Sequence, residues 1–295
     1  MNYKESLNTS LKTAWIIIKL IIPIYILADV LFYYNILSYV AFIFEPITSI
    51  LNLPAEAALA IISGMFLNLY AAIAFAAPLG LTAQEWTILA IFLGICHSLI
   101  VEGAIVKKLG FSLTYSYLVR IIAGLVVGYL CTLMPESFYG DVIISKTIET
   151  KEFSSIFALL ENSIYESISL TFKIILLITA LIFTMDAIKA IPFIKNSQKN
   201  VSKGFSLGVG VFLGITYGAG ILIKESNTMS RNDLFYVTTF LLICHAIIED
   251  TLLFAIFGAN VTLIIVVRTI AAIIIAYIML KYYEKRTNKN TSTTL

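Results

Sequence analysis

His97, Glu102 and Arg120 fall inside long apolar runs, and so do His245, Asp250 and Arg268, with Glu249 added in the second set. An ionisable side chain at bilayer depth costs about 3 kcal/mol or more, so each needs a partner or a task. Glu102 lies eight residues before Gly110, and Arg120 ten after it. On adjacent helices of a hairpin those positions share a depth, about 12–15 Å from the turn at 1.5 Å per residue. Asp250 and Arg268 repeat the arrangement around Gly258. Two readings follow. The pairs Glu102–Arg120 and Asp250–Arg268 fasten their hairpins, or the same side chains touch an ion or solute.

His245 and Glu249 are four residues apart, a spacing that stacks them on one helical face. His97 has Val101 at that spacing. Histidine changes charge near neutral pH and ligates metals through a neutral ring nitrogen. The bland reading is a ring hydrogen-bonded to a backbone carbonyl as a packing device, and whether a metal is held stays open. Asn68 either meets solute or caps a helix end. Thr216 and Tyr217 are polar groups of a second candidate segment, and Lys224-Glu225 reads as a solvated turn. Asp29 and Asp186 sit near helix ends, where interfacial water is explanation enough.

Catalytic signatures are missing: no Gly-rich phosphate loop ending in Lys-Ser/Thr, no His-Glu-x-x-His and no Gly-x-Ser-x-Gly. No enzyme is expected, and no drive by ATP.

The elements that must position these residues are membrane helices. The 295 residues are 59% hydrophobic and 13% charged, with a mean hydropathy of +0.93. A soluble domain is about 45–50% apolar and about a quarter charged. Period-two alternation, the mark of a membrane β-barrel, is absent. The net charge of +2 argues against a nucleic-acid partner. The three cysteines, Cys96, Cys131 and Cys244, all lie in apolar runs with no paired extramembrane set, which argues against a disulfide framework and against a clustered zinc site.

Eight apolar blocks stand out: 14–34, 57–79, 86–106, 113–133, 165–188, 205–223, 235–256 and 260–282. A ninth, 36–51, is interrupted by Glu45-Pro46 and reads as an interfacial helix. The first block is too long for a cleaved signal and reads as a retained helix.

A shift of 148 residues places Ile95-Cys96-His97 on Ile243-Cys244-His245, Glu102 on Asp250, Gly110 on Gly258 and Arg120 on Arg268. Across 95–129 and 243–277, 11 of 35 positions are identical without a gap. Helix-start signals coincide as well, Thr82 with Glu85 matching Ser230 with Asp233. At a different shift Trp15 falls on Phe172 and Asp29 on Asp186. The chain is an internal duplication.

If blocks 57–79 and 205–223 are re-entrant hairpins, each half crosses three times and the halves are inverted. Fourteen loop and tail Lys/Arg then lie on one side, against Lys146 and Lys151 on the other. That is the bias expected of a cytoplasmic face. Ser63-Gly64 and Asn68 supply a turn to the first hairpin, and Gly204, Gly208, Gly210, Gly214, Gly218 and Gly220 suit the second. Paired interrupted segments in inverted halves point to a transporter's substrate site.

The reading is an all-α polytopic membrane protein of six spans and two hairpins. The first repeat covers 1–134, an extracytoplasmic linker 135–163, the second repeat 164–283, and a cytoplasmic tail 284–295. Both termini face the cytoplasm, in the cell membrane.

Asn52-Leu53-Pro54-Ala55-Glu56-Ala57-Ala58-Leu59 followed by Ile62-Ser63-Gly64 resembles the start of the Gate, or nucleoside-recognition, domain. That domain occurs in concentrative nucleoside transporters, the membrane part of the ferrous-iron transporter and spore-maturation membrane proteins. Gly218-Ala219-Gly220 through His245-x-x-x-Glu249-Asp250-Thr251 is similar to a second copy, so that two copies cover about 45–135 and 190–282. Against the iron transporter's Gly-x-Gly-Cys-Asn-x-Pro pattern, Gly64 and Asn68 match, while Phe66, Leu67 and Tyr70 replace the second glycine, the cysteine and the proline. The resemblance implies inverted hairpins meeting near the midplane.

The expected function is a secondary transporter or permease for a small polar, nucleoside-like solute or an ion. Asn68, His97, Glu102, His245, Glu249 and Asp250 are the candidate binding residues, and Arg120 and Arg268 the structural ion pairs. No cofactor is expected beyond a coupling ion, H+ or Na+. A divalent-cation carrier and a non-transporting scaffold or regulatory subunit remain as alternatives. The expected partners are the lipid bilayer, the solute or ion, and further copies of the chain.

Overall fold

The computed structural model describes residues 3–34, 36–140, 153, 155–189, 208, 210, 211, 223 and 229–292. The described residues are helical, with no strand among them. Most of the expected second hairpin, with Thr216, Tyr217 and Lys224-Glu225, lies outside them, as do residues 141–152 and 154 of the linker.

Helix α1 is Tyr3–Tyr33 and α2 is Leu37–Ile50. Between Phe44–Ile50 and Ala55–Phe66 the chain bends by 113°, so α2 does not continue into the next helix. The segment 57–79 is a short helical hairpin: α3 (Ala58–Phe66), α4 (Leu69–Ala76) and one 3-10 turn, Ala77–Leu79. Then come α5 (Ala83–Cys96), α6 (Leu99–Lys108) and α7 (Leu113–Thr132). The second half supplies α8 (Ile156–Lys189), α9 (Arg231–Ile243), α10 (Ile247–Ala255) and α11 (Val261–Ser292).

Six helical segments are long and apolar enough to cross a bilayer, three in each half: Tyr3–Tyr33, Ala83–Lys108, Leu113–Thr132, Ile156–Ala187, Arg231–Ala255 and Val261–Arg286. The chain is an all-α polytopic membrane protein. Two of the six differ from the rest. Ala83–Lys108 and Arg231–Ala255 bury 72% and 83% of their apolar windows, against 22–33% for the other four. Without a hydrophobic drive between helices in lipid, such burial marks the packed centre, and the other four helices face the acyl chains.

Contacts at the helix ends fix the direction of each half. Arg231, which opens α9, donates to Leu109 O (3.0 Å) and Gly110 O (2.6 Å) in the α6–α7 turn. At the other end Asn260, in the α10–α11 turn, bonds through its backbone N–H to Thr87 Oγ1 (2.9 Å) near the start of α5. Its side chain donates to Phe138 O beyond α7 (3.1 Å). So α5–α6 and α9–α10 run antiparallel, and their halves are inverted about an axis in the membrane plane.

The outer pair obeys the same axis. Ser6 Oγ donates to Asp186 Oδ2 (2.7 Å), and Ser163 Oγ donates to Asp29 Oδ2. A shift of 157 residues turns one bond into the other, so α1 and α8 form a reciprocal antiparallel pair. Asp29 and Asp186 are therefore held across that pair and not simply solvated.

Local signals read from the sequence are in place. Thr82 and Glu85 make a capping box on α5, and Ser230 Oγ accepts from the Asp233 N–H (3.1 Å) at the start of α9. Gly110 and Gly258 adopt the left-handed conformation that a helix-ending turn requires.

Candidate functional site

The central spans are broken, which their continuous apolar patterns do not announce. In the first, α5 ends at Cys96, His97 is extended (ψ 160°), Ser98 is left-handed (φ 49°), and α6 begins at Leu99. In the second, α9 ends at Ile243, Ala246 is left-handed (φ 46°), and α10 begins at Ile247. Ser98 and Ala246, both non-glycine, are held out of helical geometry at matching places in the two halves, 148 residues apart.

Each break is braced by a glycine of the segment before it. The Ser98 N–H donates to Gly64 O (2.9 Å), and the Ala246 N–H approaches Gly210 O (3.4 Å). A Cβ on Gly64 would stand 2.7 Å from Leu93 Cδ2, and one on Gly210 would stand 2.5 Å from Leu241 Cδ1. Leu241 is Leu93 shifted by 148, so the two contacts are symmetry mates. Ser98 Oγ also donates to Leu67 O (3.2 Å), which sets the tip of the α3–α4 hairpin on the break.

A break at membrane depth frees carbonyls at the end of one half-helix and N–H groups at the start of the next. The arginines take the carbonyls. Arg120 donates to Ile95 O and to His97 O (2.6 Å). Arg268 donates to His245 O (3.0 Å) and reaches across to Gly94 O (2.6 Å). Gly94 permits that crossing, since a Cβ there would stand 2.7 Å from the guanidinium carbon. The carboxylates Glu102 and Asp250 occupy first turns of α6 and α10, where the helix dipole favours negative charge.

Both expected ion pairs are present: Arg120 Nη1 to Glu102 Oε2 at 2.9 Å and Arg268 Nη2 to Asp250 Oδ2 at 3.3 Å. The arginines are thus more than fasteners, because they also close the broken helix ends.

The histidines meet between the halves, with ring centroids 5.0 Å apart. His97 Nδ1 lies 2.9 Å from Leu93 O, and His245 Nδ1 lies 2.7 Å from Leu241 O. A carbonyl only accepts, so each Nδ1 carries a proton. Each Nε2 then points inward to one shared atom: Glu102 Oε1 stands 3.2 Å from His97 Nε2 and 3.1 Å from His245 Nε2. Exposure is 8% at His97 and no more than 4% at His245, Glu102, Asp250, Arg120 and Arg268.

The chain is 27% identical over 297 residues to YvoD, an uncharacterized membrane protein of Bacillus subtilis (strain 168). The match covers 96% of this chain and 95% of that protein. No family model matches the chain, and no solved structure does. The relative is named a membrane protein, and the six spans make this chain a multi-pass one.

Of the candidate residues, His97, His245, Glu102, Asp250, Arg120 and Arg268 converge. Glu249 does not join His245 on one helical face, because the break falls between them. Its exposed carboxylate instead accepts from Tyr70 of the first hairpin (3.3 Å). Asn68 caps α4, its Oδ1 accepting from the Ala71 N–H (3.0 Å). Sequence reasoning missed Ser98, Gly94 and the pairing of Gly64 with Gly210. The last had a signal: Gly64 matches Gly210 at a shift of 146, two short of the main repeat.

Proposed function

We propose that the protein is a secondary transporter that moves a small ion or polar solute through the centre where its two inverted halves meet. One observation carries the reading: two antiparallel broken helices bring six buried ionisable side chains to a single place. Broken helices with free half-helix ends at the midplane of inverted repeats are the build of a substrate or coupling-ion site. Alternating access would follow from the α3–α4 hairpin and the contact at Gly210 loosening in turn from the breaks they brace. Among the described residues those braces are few: Ser98 donates to Gly64 O and Leu67 O, and the Ala246 N–H approaches Gly210 O.

The converging groups are ionic and close together, which favours an ion over the nucleoside-like solute that the Gate resemblance implies. Loop charge supports an orientation with the α6–α7 turn, Arg231 and both termini in the cytoplasm. No catalytic step is assigned to the chain. The competing reading is a scaffold or regulatory subunit, for which the buried charges would only lock the fold.

Ser98→Cys separates the two. The native thiols Cys96, Cys131 and Cys244 are all buried, so background labelling is low. A transporter exposes position 98 to a membrane-impermeant maleimide from each side in turn, in right-side-out and inside-out vesicles. Labelling from one side alone, or from neither, overturns transport and leaves the scaffold.

A further inference from the structure

We infer that His97, His245, Glu102 and Asp250 form a binding site for a divalent transition-metal cation of the zinc type. The inference deepens the transport reading by naming the ion, and rests on it for the ion's role as cargo.

The argument begins with lone pairs. Both Nδ1 atoms donate to backbone carbonyls, so in the neutral rings both Nε2 atoms are acceptors. They face Glu102 Oε1, which is also an acceptor, at 3.2 and 3.1 Å. Three acceptors pointing at each other repel unless something positive lies among them. One carboxyl proton serves one of the two contacts and leaves the other unmade. A metal ion serves all three at once.

The spacing suits such an ion. Zinc bonds to His nitrogen and carboxylate oxygen are about 2.0–2.1 Å, and the tetrahedral angle then sets neighbouring donors about 3.3 Å apart. Asp250, the repeat mate of Glu102, offers a second carboxylate to the same two histidines. Its carboxylate oxygen and ligand nitrogens of both histidines lie within 4.8 Å of one another.

The outer contacts are those of metal-holding histidines, whose second ring nitrogen donates to a carbonyl or carboxylate and so fixes the ring. Two imidazoles with two carboxylates select a borderline first-row cation over Ca2+ or Mg2+, which take oxygen alone. The thiols are turned elsewhere: Cys96 Sγ donates to Arg120 O (3.0 Å), and Cys244 Sγ lies 3.9 Å from Thr269 Oγ1. A thiolate-seeking ion is not served here.

Arg120 and Arg268 hold carboxylate oxygens and lower the negative charge offered to the ion. Binding weaker than at a structural zinc site follows, as a carrier that must release its ion requires.

The test is metal binding to the full chain, purified in detergent and stripped by a chelator. Zn2+ alone is titrated against a chromophoric competitor, and bound zinc is counted by mass spectrometry. Co2+ serves as a probe, because four-coordinate Co2+ absorbs visibly and the hexaaqua ion hardly does. The expected result is one zinc per chain and a Co2+ spectrum of the four-coordinate kind. His97→Ala and His245→Ala should each weaken zinc at least about tenfold, while Glu136→Gln on the surface leaves it unchanged.

Absence of stoichiometric zinc on the folded wild-type protein overturns the site, and equal loss in Glu136→Gln does the same. That control stands even if a histidine variant fails to fold. Zinc flux into proteoliposomes is measured separately. Binding without flux removes the role as cargo and keeps the site. Two-sided labelling of Ser98→Cys without zinc binding keeps transport and removes the site.

Discussion

His245 Nε2 stands 3.1 Å from Glu102 Oε1, although 143 residues separate them and they belong to opposite halves. The repeat would pair Asp250 with His97 in the same way. Asp250 is one methylene shorter, and its Oδ2 stays with Arg268 at 3.3 Å. Gly94 adds to the difference, since its repeat position is Leu242, and only Gly94 admits a guanidinium from the other half. The centre is thus gathered on Glu102, a small asymmetry imposed on a symmetric frame. In inverted halves, such an asymmetry lets the two access states differ in energy.

Glu102→Gln should be the most damaging single change at the centre. It removes the charge facing Arg120 Nη1 at 2.9 Å and leaves a buried guanidinium half-paired. Breaking one partner of a buried ion pair costs about 3–5 kcal/mol. Thermal unfolding in detergent should show a clear fall in midpoint. An unchanged midpoint would mean that water reaches Arg120.

The two second-half partners should not be equivalent. Asp250→Asn leaves Arg268 bonded to Gly94 O and His245 O. Arg268→Met strands both carbonyls at depth, each worth about 1–3 kcal/mol when unsatisfied. Arg268→Met is therefore the more destabilising of the two in the same unfolding measurement. The reverse order would make the ion pair, and not the capping of the break, the main work of the arginine.

Gly64→Ala tests the brace between hairpin and break. Its Cβ would stand 2.7 Å from Leu93 Cδ2 and 3.0 Å from Ala72 Cβ. Overpacking of this kind costs about 1–3 kcal/mol. Leu93→Ala in the same chain should recover part of the loss, and Gly210→Ala should behave alike with Leu241→Ala. Full tolerance of Gly64→Ala would show that the hairpin tip is already loose.

Much of this was legible in the residues. Six spans follow from eight apolar blocks once loop charge is counted, and the repeat at shift 148, the caps at Thr82 and Ser230 and both ion pairs follow from residue type and spacing. The breaks at His97 and His245 were not legible. Ser98 and Ala246 are ordinary residues held left-handed by tertiary bonds to Gly64 and Gly210, and local propensity carries no trace of such bonds. The helical spacing of His245 and Glu249 misled for that reason. The pairing of His245 with Glu102 needs the inversion itself, which places two distant helix breaks face to face.

That inversion can be checked without any ligand. Arg231 reaches the α6–α7 turn at Gly110, and Asn260 reaches Phe138 beyond α7. Arg231→Cys with Phe111→Cys should be bridged by a bifunctional thiol reagent with a short spacer, because the Arg231 guanidinium carbon lies 4.2 Å from the centre of the Phe111 ring. Asn260→Cys with Phe138→Cys should do the same at the opposite membrane face. The exchanged pairs, Arg231→Cys with Phe138→Cys and Asn260→Cys with Phe111→Cys, should not react, since a bilayer core of about 30 Å lies between their members. Reaction of the exchanged pairs in place of the native ones would make the halves parallel. The two broken spans would then no longer meet as antiparallel partners, and the common centre would lose its basis.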